Sequence, residues 1–312
     1  MAGVEQQAGR GPPVILLAGP TASGKSALAM ELAERIGGAI VNTDALQVYR
    51  DLRLITARPS VADEERVPHA LYGHVAADES YSVGRWAEEA GTVLAELRRE
   101  NRPAILIGGT GLYFKVLTEG LAKVPPIPWE VRDKWRAAVA EQGAEALHKH
   151  LAALDPEGAA AVRTSDPTRI VRAIEVIEAT GVPLREWHRK DVSAPLVGAD
   201  AKRFVVEADR ALLAERIGAR LDAMVKEGVV EEVGALASQK LDPALPIMKA
   251  VGVRELMTLV AGKASLEESL SRAKLATLQY AKRQMTWFRN QMAGWERMEA
   301  GNIRKALDLS PQ

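Results

Sequence analysis

The eight residues Gly19-Pro20-Thr21-Ala22-Ser23-Gly24-Lys25-Ser26 match the pattern G-x-x-x-x-G-K-[ST] in full and leave few folds open. Val14-Ile15-Leu16-Leu17-Ala18, just before them, is an apolar run of strand length that stops at Gly19. After them, Leu28, Leu32 and Ile36 recur at helical spacing until Gly37-Gly38 ends the segment. A buried strand, a glycine-rich loop and a helix, in that order, make a phosphate-binding loop. The glycines let successive backbone N–H groups turn inward, and the helix start adds partial positive charge toward an anion. Lys25 brings a full charge to the terminal phosphate, and the Ser26 hydroxyl is placed to ligand Mg²⁺. A plain Gly-rich turn would satisfy the loop geometry, but not the complete motif in this context. The loop does not say whose phosphates it holds: ATP, GTP and an alkyl diphosphate present similar groups.

Apolar patterning extends this start into an α/β chain. Ala39-Ile40-Val41-Asn42 reads as a second strand, Val83 to Asn101 as a helix, and Ala104-Ile105-Leu106-Ile107 as a third buried strand closed by Gly108-Gly109. Strands alternating with helices predict a P-loop NTPase-like parallel sheet flanked by helices. Near Lys123 the pattern changes. Val124-Pro125-Pro126-Ile127-Pro128 is linker-like, and Trp129 to about Lys190 is helical without a convincing strand. Phe204-Val205-Val206 reads as a strand returning to the sheet, followed by long helical patterns at Leu212–Gln239 and Leu266–Met292. The expected organisation is a discontinuous α/β core, 12-122 and 199-300, an inserted all-helical domain, 123-198, and flexible termini, 1-11 and 301-312. No internal repeat interrupts this scheme.

Composition narrows the chemistry. The chain has no cysteine, which excludes disulfides, thiolate catalysis and Cys-ligated zinc. Lys+Arg and Asp+Glu are both 41, a balance that argues mildly against a nucleic-acid binder, although acid elsewhere can offset a basic face. Basic residues do cluster: Lys249 to Met292 holds eight Lys/Arg against three acids, and Arg163, Arg169, Arg172, Arg185, Arg189 and Lys190 form a second group. The five histidines show no metal-ligand spacing, and the tryptophans are spread like core fillers. Met1 to Pro13 lacks the apolar segment of a secretion signal, and no apolar run is long enough to cross a bilayer. The expectation is a cytoplasmic monomer with no membrane partner.

The second strand runs into Asn42-Thr43-Asp44-Ala45-Leu46-Gln47-Val48-Tyr49. Asp44 falls at the carboxyl end of that strand, where open α/β sheets place ligands. A carboxylate there serves as a base toward an incoming nucleophile or caps the next turn, and both roles fit.

The chain resembles the tRNA dimethylallyltransferase family, bacterial type. The resemblance is carried by Gly19 to Ser26, Asp44-x-x-Gln47-Val48-Tyr49, Thr56-Ala57-Arg58-Pro59, Tyr81-Ser82-Val83-Gly84 and Gly108-Gly109-Thr110-Gly111-Leu112-Tyr113. It continues with Asp166-Pro167-x-Arg169-Ile170-x-Arg172-Ala173-Ile174-Glu175, Lys249-Ala250-Val251-Gly252-x-Arg254-Glu255 and Tyr280-Ala281-Lys282-Arg283-Gln284-x-Thr286-Trp287. These stand in the family's order and span most of Val14 to Phe288. Three stretches depart from it: Ala45 stands where the family usually has Ser, Pro68-His69-Ala70-Leu71-Tyr72-Gly73 keeps part of a P-H-H-L pattern, and Arg163 to Pro167 replaces H-P-N-D.

The resemblance implies transfer of a dimethylallyl group from dimethylallyl diphosphate to N6 of the adenosine 3′ to the anticodon (position 37), in tRNAs reading codons that begin with U. It implies Asp44 as general base, with Thr110 in the reaction channel. Gly19, Pro20, Thr21, Ala22, Ser23, Gly24, Lys25 and Ser26, with Mg²⁺, would hold the diphosphate, and Arg283 is a candidate for the same task. The tRNA anticodon stem-loop would be met by Asp44, Ala45, Leu46, Gln47, Thr110, Arg132, Thr168, Arg169, Ile170, Val171, Arg172, Lys249, Ala250, Val251, Gly252, Val253 and Arg254. The chemistry is consistent. Adenine's amino nitrogen is a poor nucleophile that needs a base, and the leaving diphosphate needs positive charge. An extruded base also needs a grip on the RNA backbone.

Three other classes share the loop. A small-molecule kinase would use Asp44 toward an acceptor hydroxyl, but the large helical insert and basic C-terminal region are foreign to it. An adenylate isopentenyltransferase would have no use for the segments around Arg172 and Arg254. A nucleotide-sensing RNA switch would want an acid after the strand that here ends Ile107-Gly108-Gly109.

Overall fold

Runs such as Val14–Ala18 and Ala104–Gly108 carry no charged side chain, so as strands they must be covered on both faces. In the computed structural model, which describes residues 11–189, 194–196 and 201–307, they are. The first part of the chain gives β1 (Val14–Ala18), α1 (Lys25–Ile36), β2 (Ala39–Asn42), α2 (Val61–Arg66), β3 (His69–Ala70), α3 (Val83–Arg99), β4 (Ala104–Gly108) and α4 (Gly111–Glu119). Four helices follow: α5 (Trp129–Leu154), α6 (Pro156–Ala160), α7 (Pro167–Thr180) and α8 (Leu184–Arg189). The last part gives β5 (Ala201–Glu207), α9 (Arg210–Lys226), α10 (Val229–Ser238), α11 (Val253–Val260), α12 (Leu266–Gln291), β6 (Glu296–Glu299) and α13 (Ala300–Ala306).

The six strands form one sheet, all parallel, in the order β3-β2-β4-β1-β5-β6. Alternate side chains enter two cores. Ile15, Leu17, Ile40, Ile105, Ile107, Phe204 and Val206 meet Leu28 and Leu32 of α1 and Ile303 of α13. Leu16, Ala18, Val41, Leu106 and Val205 face the opposite way, into the larger core with Trp86, Phe114, Ile217 and Phe288. The expected fold class is the observed one.

Three details differ from the sequence expectations. The strands bearing the phosphate loop and Asp44 follow one another in sequence, which suggests neighbours in the sheet, but β4 lies between them. A parallel crossover is long enough to skip a strand, and β4 is fully buried, as a central position demands. The long helix expected over Leu212–Gln239 is two helices, broken where Gly228 takes φ 99°. The terminus expected to be flexible from 301 carries most of α13, and β6 before it pairs with β5. Ile303 is fully buried and supplies the reason: one apolar side chain on a short segment gives little periodic signal but seals the sheet edge. The expected flexibility of 1-10 and 308-312 concerns segments outside the described residues.

The chain divides into two compact units, one taking in residues up to Thr118 and from Pro195 onward, the other Glu119–Ala194. In the second unit α5, interrupted at Gly143 (φ 79°, ψ 165°), packs on α7 through Trp135, Leu147, Leu151, Ile170 and Ile174. Among the described residues no helix is long and apolar enough to cross a membrane.

Replacing Ile303 with Ala should cost about 2–5 kcal/mol of stability, the usual price of a buried Ile→Ala cavity. Urea unfolding checks this, and a change under about 0.5 kcal/mol, typical of a surface site, would return α13 to the status of a loose tail.

Candidate active site

Strand register decides what meets at the sheet's carboxyl edge. Ala18 pairs with Gly108 and Asn42 with Ile107, so the loops after β1, β2 and β4 leave the sheet at one level. They pass very close together. A methyl group on Gly108 would collide with the Thr43 carbonyl, one on Gly109 with the Gln284 amide, and one on Gly111 with the Trp287 ring. This crowding explains why the strand expected to end in an acid in a nucleotide switch ends in glycine here.

The phosphate loop has its expected strand–loop–helix setting. Ala22 and Gly24 take left-handed conformations (φ 64° and 88°), and the Ser23 N–H donates to the Pro20 carbonyl at 3.2 Å. Left-handed backbone at Ala22 costs of order 1 kcal/mol, which the rest of the loop must offset. The Lys25 ammonium donates to the Pro20 carbonyl at 3.1 Å. Burial lowers its pKa to about 8, against the opposing pull of the Asp44 carboxylate, while Arg220 pushes the same way as burial.

Asp44 is fixed by its own neighbourhood. Its N–H donates to Asn42 Oδ1 at 2.8 Å, Asn42 Nδ2 donates to its carbonyl at 2.9 Å, and the Leu46 N–H donates to Asp44 Oδ1 at 2.9 Å. One carboxylate oxygen therefore caps the turn, while Oδ2 lies beside Gly109. The Ala45 N–H donates to Thr110 Oγ1 at 3.0 Å, tying the Asp44 turn to the loop after β4. Tyr72, Tyr113 and Tyr280 surround this point. Burial first, then the Asp44 charge, drives all three phenols above their ordinary range and keeps them protonated.

A cavity of about 500 Å³ joins these parts and is lined by Lys25, Ser26, Asp44, Gln47, Arg220 and Tyr280 among others. Thr21, Ala22 and Gly24 also line it, as do Leu46, Lys249, Ala250 and Val251. Gly252 lies just behind, against Ile55, and Val253 is buried in the core. Arg254 is exposed. Arg283 is exposed on α12 with its guanidinium 5.7 Å from the Tyr280 ring centroid, and it is not among the cavity residues.

In the second unit Arg132, Thr168 and Arg169 are exposed, Arg172 is half-buried, and Ile170 and Val171 are buried. The helical period of α7 turns those two side chains toward α5, which leaves Thr168, Arg169 and Arg172 as the outward members of that stretch. Much of the basic group read from the sequence is paired: Arg169 with Asp166, Arg172 with Glu175, Arg185 with Asp155, Arg189 with Glu186. Lys190 lies outside the described residues.

Three cavity residues were not singled out from the sequence. Arg220 donates to Thr21 Oγ1 at 2.7 Å, and Arg216, one turn earlier on α9, donates to the Ala22 carbonyl at 3.4 Å. With Lys25 they gather three cations over the phosphate loop. Gln284 accepts from the Thr21 N–H and donates to the Gly109 carbonyl, both at 3.0 Å, bridging the loops after β1 and β4. The i,i+4 spacing of Arg216 and Arg220 was a usable signal. Gln284 was visible only as part of a motif, because a glutamine on an otherwise amphipathic helix reads as surface.

Among the oxygen donors that line the cavity, the Ser26 hydroxyl at the end of the phosphate loop suits a hard cation such as Mg²⁺. Among the described residues no cluster of three or more His, Asp or Glu is arranged to hold a metal. A divalent ion here would therefore be held by Ser26 together with phosphate oxygens.

Two outcomes follow from this geometry. Phosphate esters are fully ionised above pH 7, so affinity for an alkyl diphosphate should fall as pH rises through about 8, where Lys25 loses its proton, and binding should take up protons there. Calorimetry in buffers of different ionisation heat measures both, and a flat affinity from pH 7 to 9 would contradict the lowered pKa. Gln284→Leu should weaken diphosphate binding about tenfold, since it orphans the Thr21 N–H and the Gly109 carbonyl. Unchanged affinity would show the bridge to be idle.

Comparisons with known proteins give the family. The family model described as IPP transferase matches residues 47–291, and one described as isopentenyl transferase matches 12–69. A tRNA dimethylallyltransferase of Nitrobacter hamburgensis is 54% identical, with 89% of this chain and 88% of that one covered. One of Methylobacterium radiotolerans is 50% identical, with 92% of each covered. The crystal structure of a tRNA isopentenylpyrophosphate transferase from Bacillus halodurans superposes with TM-score 0.65 at 30% identity over 92% of this chain and 90% of that one. A eukaryotic dimethylallyltransferase acting on tRNA superposes with TM-score 0.80 at 25% identity, covering 93% of this chain and 74% of that one. By sequence match and by fold, this chain belongs to the IPP transferase family, that of the tRNA dimethylallyltransferases.

Proposed function

We infer that this protein transfers a dimethylallyl group from dimethylallyl diphosphate to N6 of the adenosine 3′ to the anticodon in tRNA, releasing diphosphate. The observation that carries this reading is that Asp44 and Lys25 line one cavity at the carboxyl edge of the sheet. A base and a cradle for a leaving anion are the two things the reaction needs together.

The diphosphate lies against the amides of the phosphate loop, with Lys25, Arg216 and Arg220 around it. The five-carbon tail and the acceptor base fill the space toward Asp44, Gln47 and Tyr280. Attack by N6 on the allylic carbon breaks the carbon–oxygen bond and builds positive charge on nitrogen. Asp44 removes the proton, a contribution typically worth about 10²–10⁴-fold. The three cations and the loop amides take up the charge that develops on the diphosphate oxygens. Ser26 would hold Mg²⁺, which would supply further positive charge for the leaving diphosphate. Thr110 holds the Asp44 turn through the Ala45 N–H, so the turn is fixed without the hydroxyl that Ser would carry at position 45.

The exposed cations Arg132, Arg169, Lys249 and Arg254, with Arg172, are the candidates for phosphate contacts along the anticodon stem-loop. They are proposed as position-independent grips, whereas Asp44, Gln47 and Thr110 meet the flipped base. The protein acts as a monomer in the cytoplasm.

The test uses dimethylallyl diphosphate labelled in the prenyl group, Mg²⁺ and unmodified tRNA. Wild type should place label on the adenosine 3′ to the anticodon, and Asp44→Asn should lose about 10²-fold or more in rate while still binding the diphosphate. Label on no nucleoside sinks the assignment. Full activity of Asp44→Asn removes Asp44 as the base.

A further inference from the structure

One part of the cavity wall is a short irregular segment, Ile55-Thr56-Ala57-Arg58-Pro59, with no regular ladder to hold it. Ala57 is left-handed (φ 53°), so the segment does not rest in its most comfortable conformation. Two turn hydrogen bonds brace it locally, Ala57 N–H to the Leu54 carbonyl and Arg58 N–H to the Arg53 carbonyl, both at 2.9 Å, and side chains from outside it complete the support. Gln47 supplies part of that support: its side-chain amide donates to the Thr56 and Ala57 carbonyls at 2.9 and 3.1 Å. The other part comes from far along the chain. Glu232, in the first turn of α10, accepts the N–H groups of three consecutive residues: Arg53 at 2.7 Å and Leu54 at 2.8 Å on Oε1, and Ile55 at 2.9 Å on Oε2.

Three successive amides converging on one anion form the concave arrangement that elsewhere binds a free phosphate or carboxylate. Here a carboxylate of the same chain fills it. We propose that Glu232 is a positioning residue for prenyl transfer: by clamping the 53–55 amides it holds Ile55 and, through Thr56 and Ala57, Gln47 in place along the cavity wall where the tail and the acceptor base lie. The proposal rests on reading this cavity as the transfer site.

The packing makes the link specific. Ile55 presses on Gly252 closely enough that a Cβ there would sit 2.8 Å from Ile55 Cδ1. Ala250 and Val251, just before it, line the same cavity. A shift of the 53–55 backbone therefore moves Ile55 against the 249–252 segment and moves the partners of Gln47 together. It leaves the phosphate loop alone, since Thr21 and Ala22 are tied to Gln284, Arg216 and Arg220 instead. Glu232 should thus matter for the acceptor and tail, and little for the phosphates.

Both oxygens of Glu232 are in use, so a neutral amide of the same shape cannot replace it: Glu232→Gln keeps one acceptor and sets an NH₂ group against a backbone N–H. Losing one charge-assisted hydrogen bond corresponds to about tenfold or more. In Glu232→Gln, kcat/KM toward tRNA should drop by about that factor, while affinity for inorganic pyrophosphate stays at the wild-type value. Amide hydrogen exchange should rise at residues 53–57 and remain unchanged at 19–26. Glu232→Asp, which keeps the charge but withdraws it by one methylene, should show the same split. Gln47→Leu should be non-additive with Glu232→Gln, because both act through one segment. Wild-type kinetics in Glu232→Gln overturns the proposal. So does an equal loss of pyrophosphate affinity and catalysis with a lowered melting temperature, which would make Glu232 a general structural prop. If wild type transfers no prenyl group at all, the function fails, whereas the exchange difference at 53–57 still reports whether Glu232 holds the segment.

Discussion

A diphosphate leaves carbon readily only where positive charge is already waiting for it, and a base works beside it only if that charge does not neutralise the base. The cavity in this protein keeps its cations on the phosphate-loop side and its carboxylate on another strand. Lys25 is bound to the Pro20 carbonyl within the phosphate loop, Arg220 is hydrogen-bonded to Thr21, and Arg216 to the Ala22 carbonyl. Asp44 is held at the end of another strand by Asn42 and the Leu46 N–H, with one oxygen spent on the turn. Burial weakens Lys25's hold on its proton and the Asp44 charge strengthens it, so the two groups sense each other across the cavity. A diphosphate arriving beside Lys25 should strengthen that hold further.

The sheet makes this separation rigid. β4 stands between β1 and β2, and its glycine-rich exit lets the flanking loops close over it with no side chain in the way. Gln284 then joins the loops after β1 and β4, and Thr110 joins the loops after β4 and β2. Two polar side chains thus lock three loops. Each hydrogen bond is worth only about 0.5–1.5 kcal/mol net, but leaving its partners unpaired in this crowded edge would cost more. The shape of the cavity depends on this stitching more than on any single contact.

How much of this could be read from the sequence followed from how local each signal was. The phosphate loop was legible because strand, loop and helix are contiguous and the motif is dense. The buried strands stood out as uncharged apolar runs, and the helical insert as a change of period bounded by prolines. Strand order was not legible, since nothing in Ala39–Asn42 says that β4 will slip between it and β1. The break at Gly228 was hidden because helical periodicity resumes on the far side, and β6 and α13 because they are short. Among site residues, Asp44 and Lys25 sit in local patterns. Arg220, Gln284 and Glu232 act across the fold on backbone groups remote in sequence, and such partnerships leave no local trace.

The most direct measurement is a crystal structure with an unreactive thiolo analogue of dimethylallyl diphosphate. The account predicts phosphates seated on the 21–26 loop with Arg220 beside them, and the carbon tail directed toward Asp44 and Tyr280. Phosphates bound elsewhere, or a tail pointing out to solvent away from the Asp44 carboxylate, would contradict it.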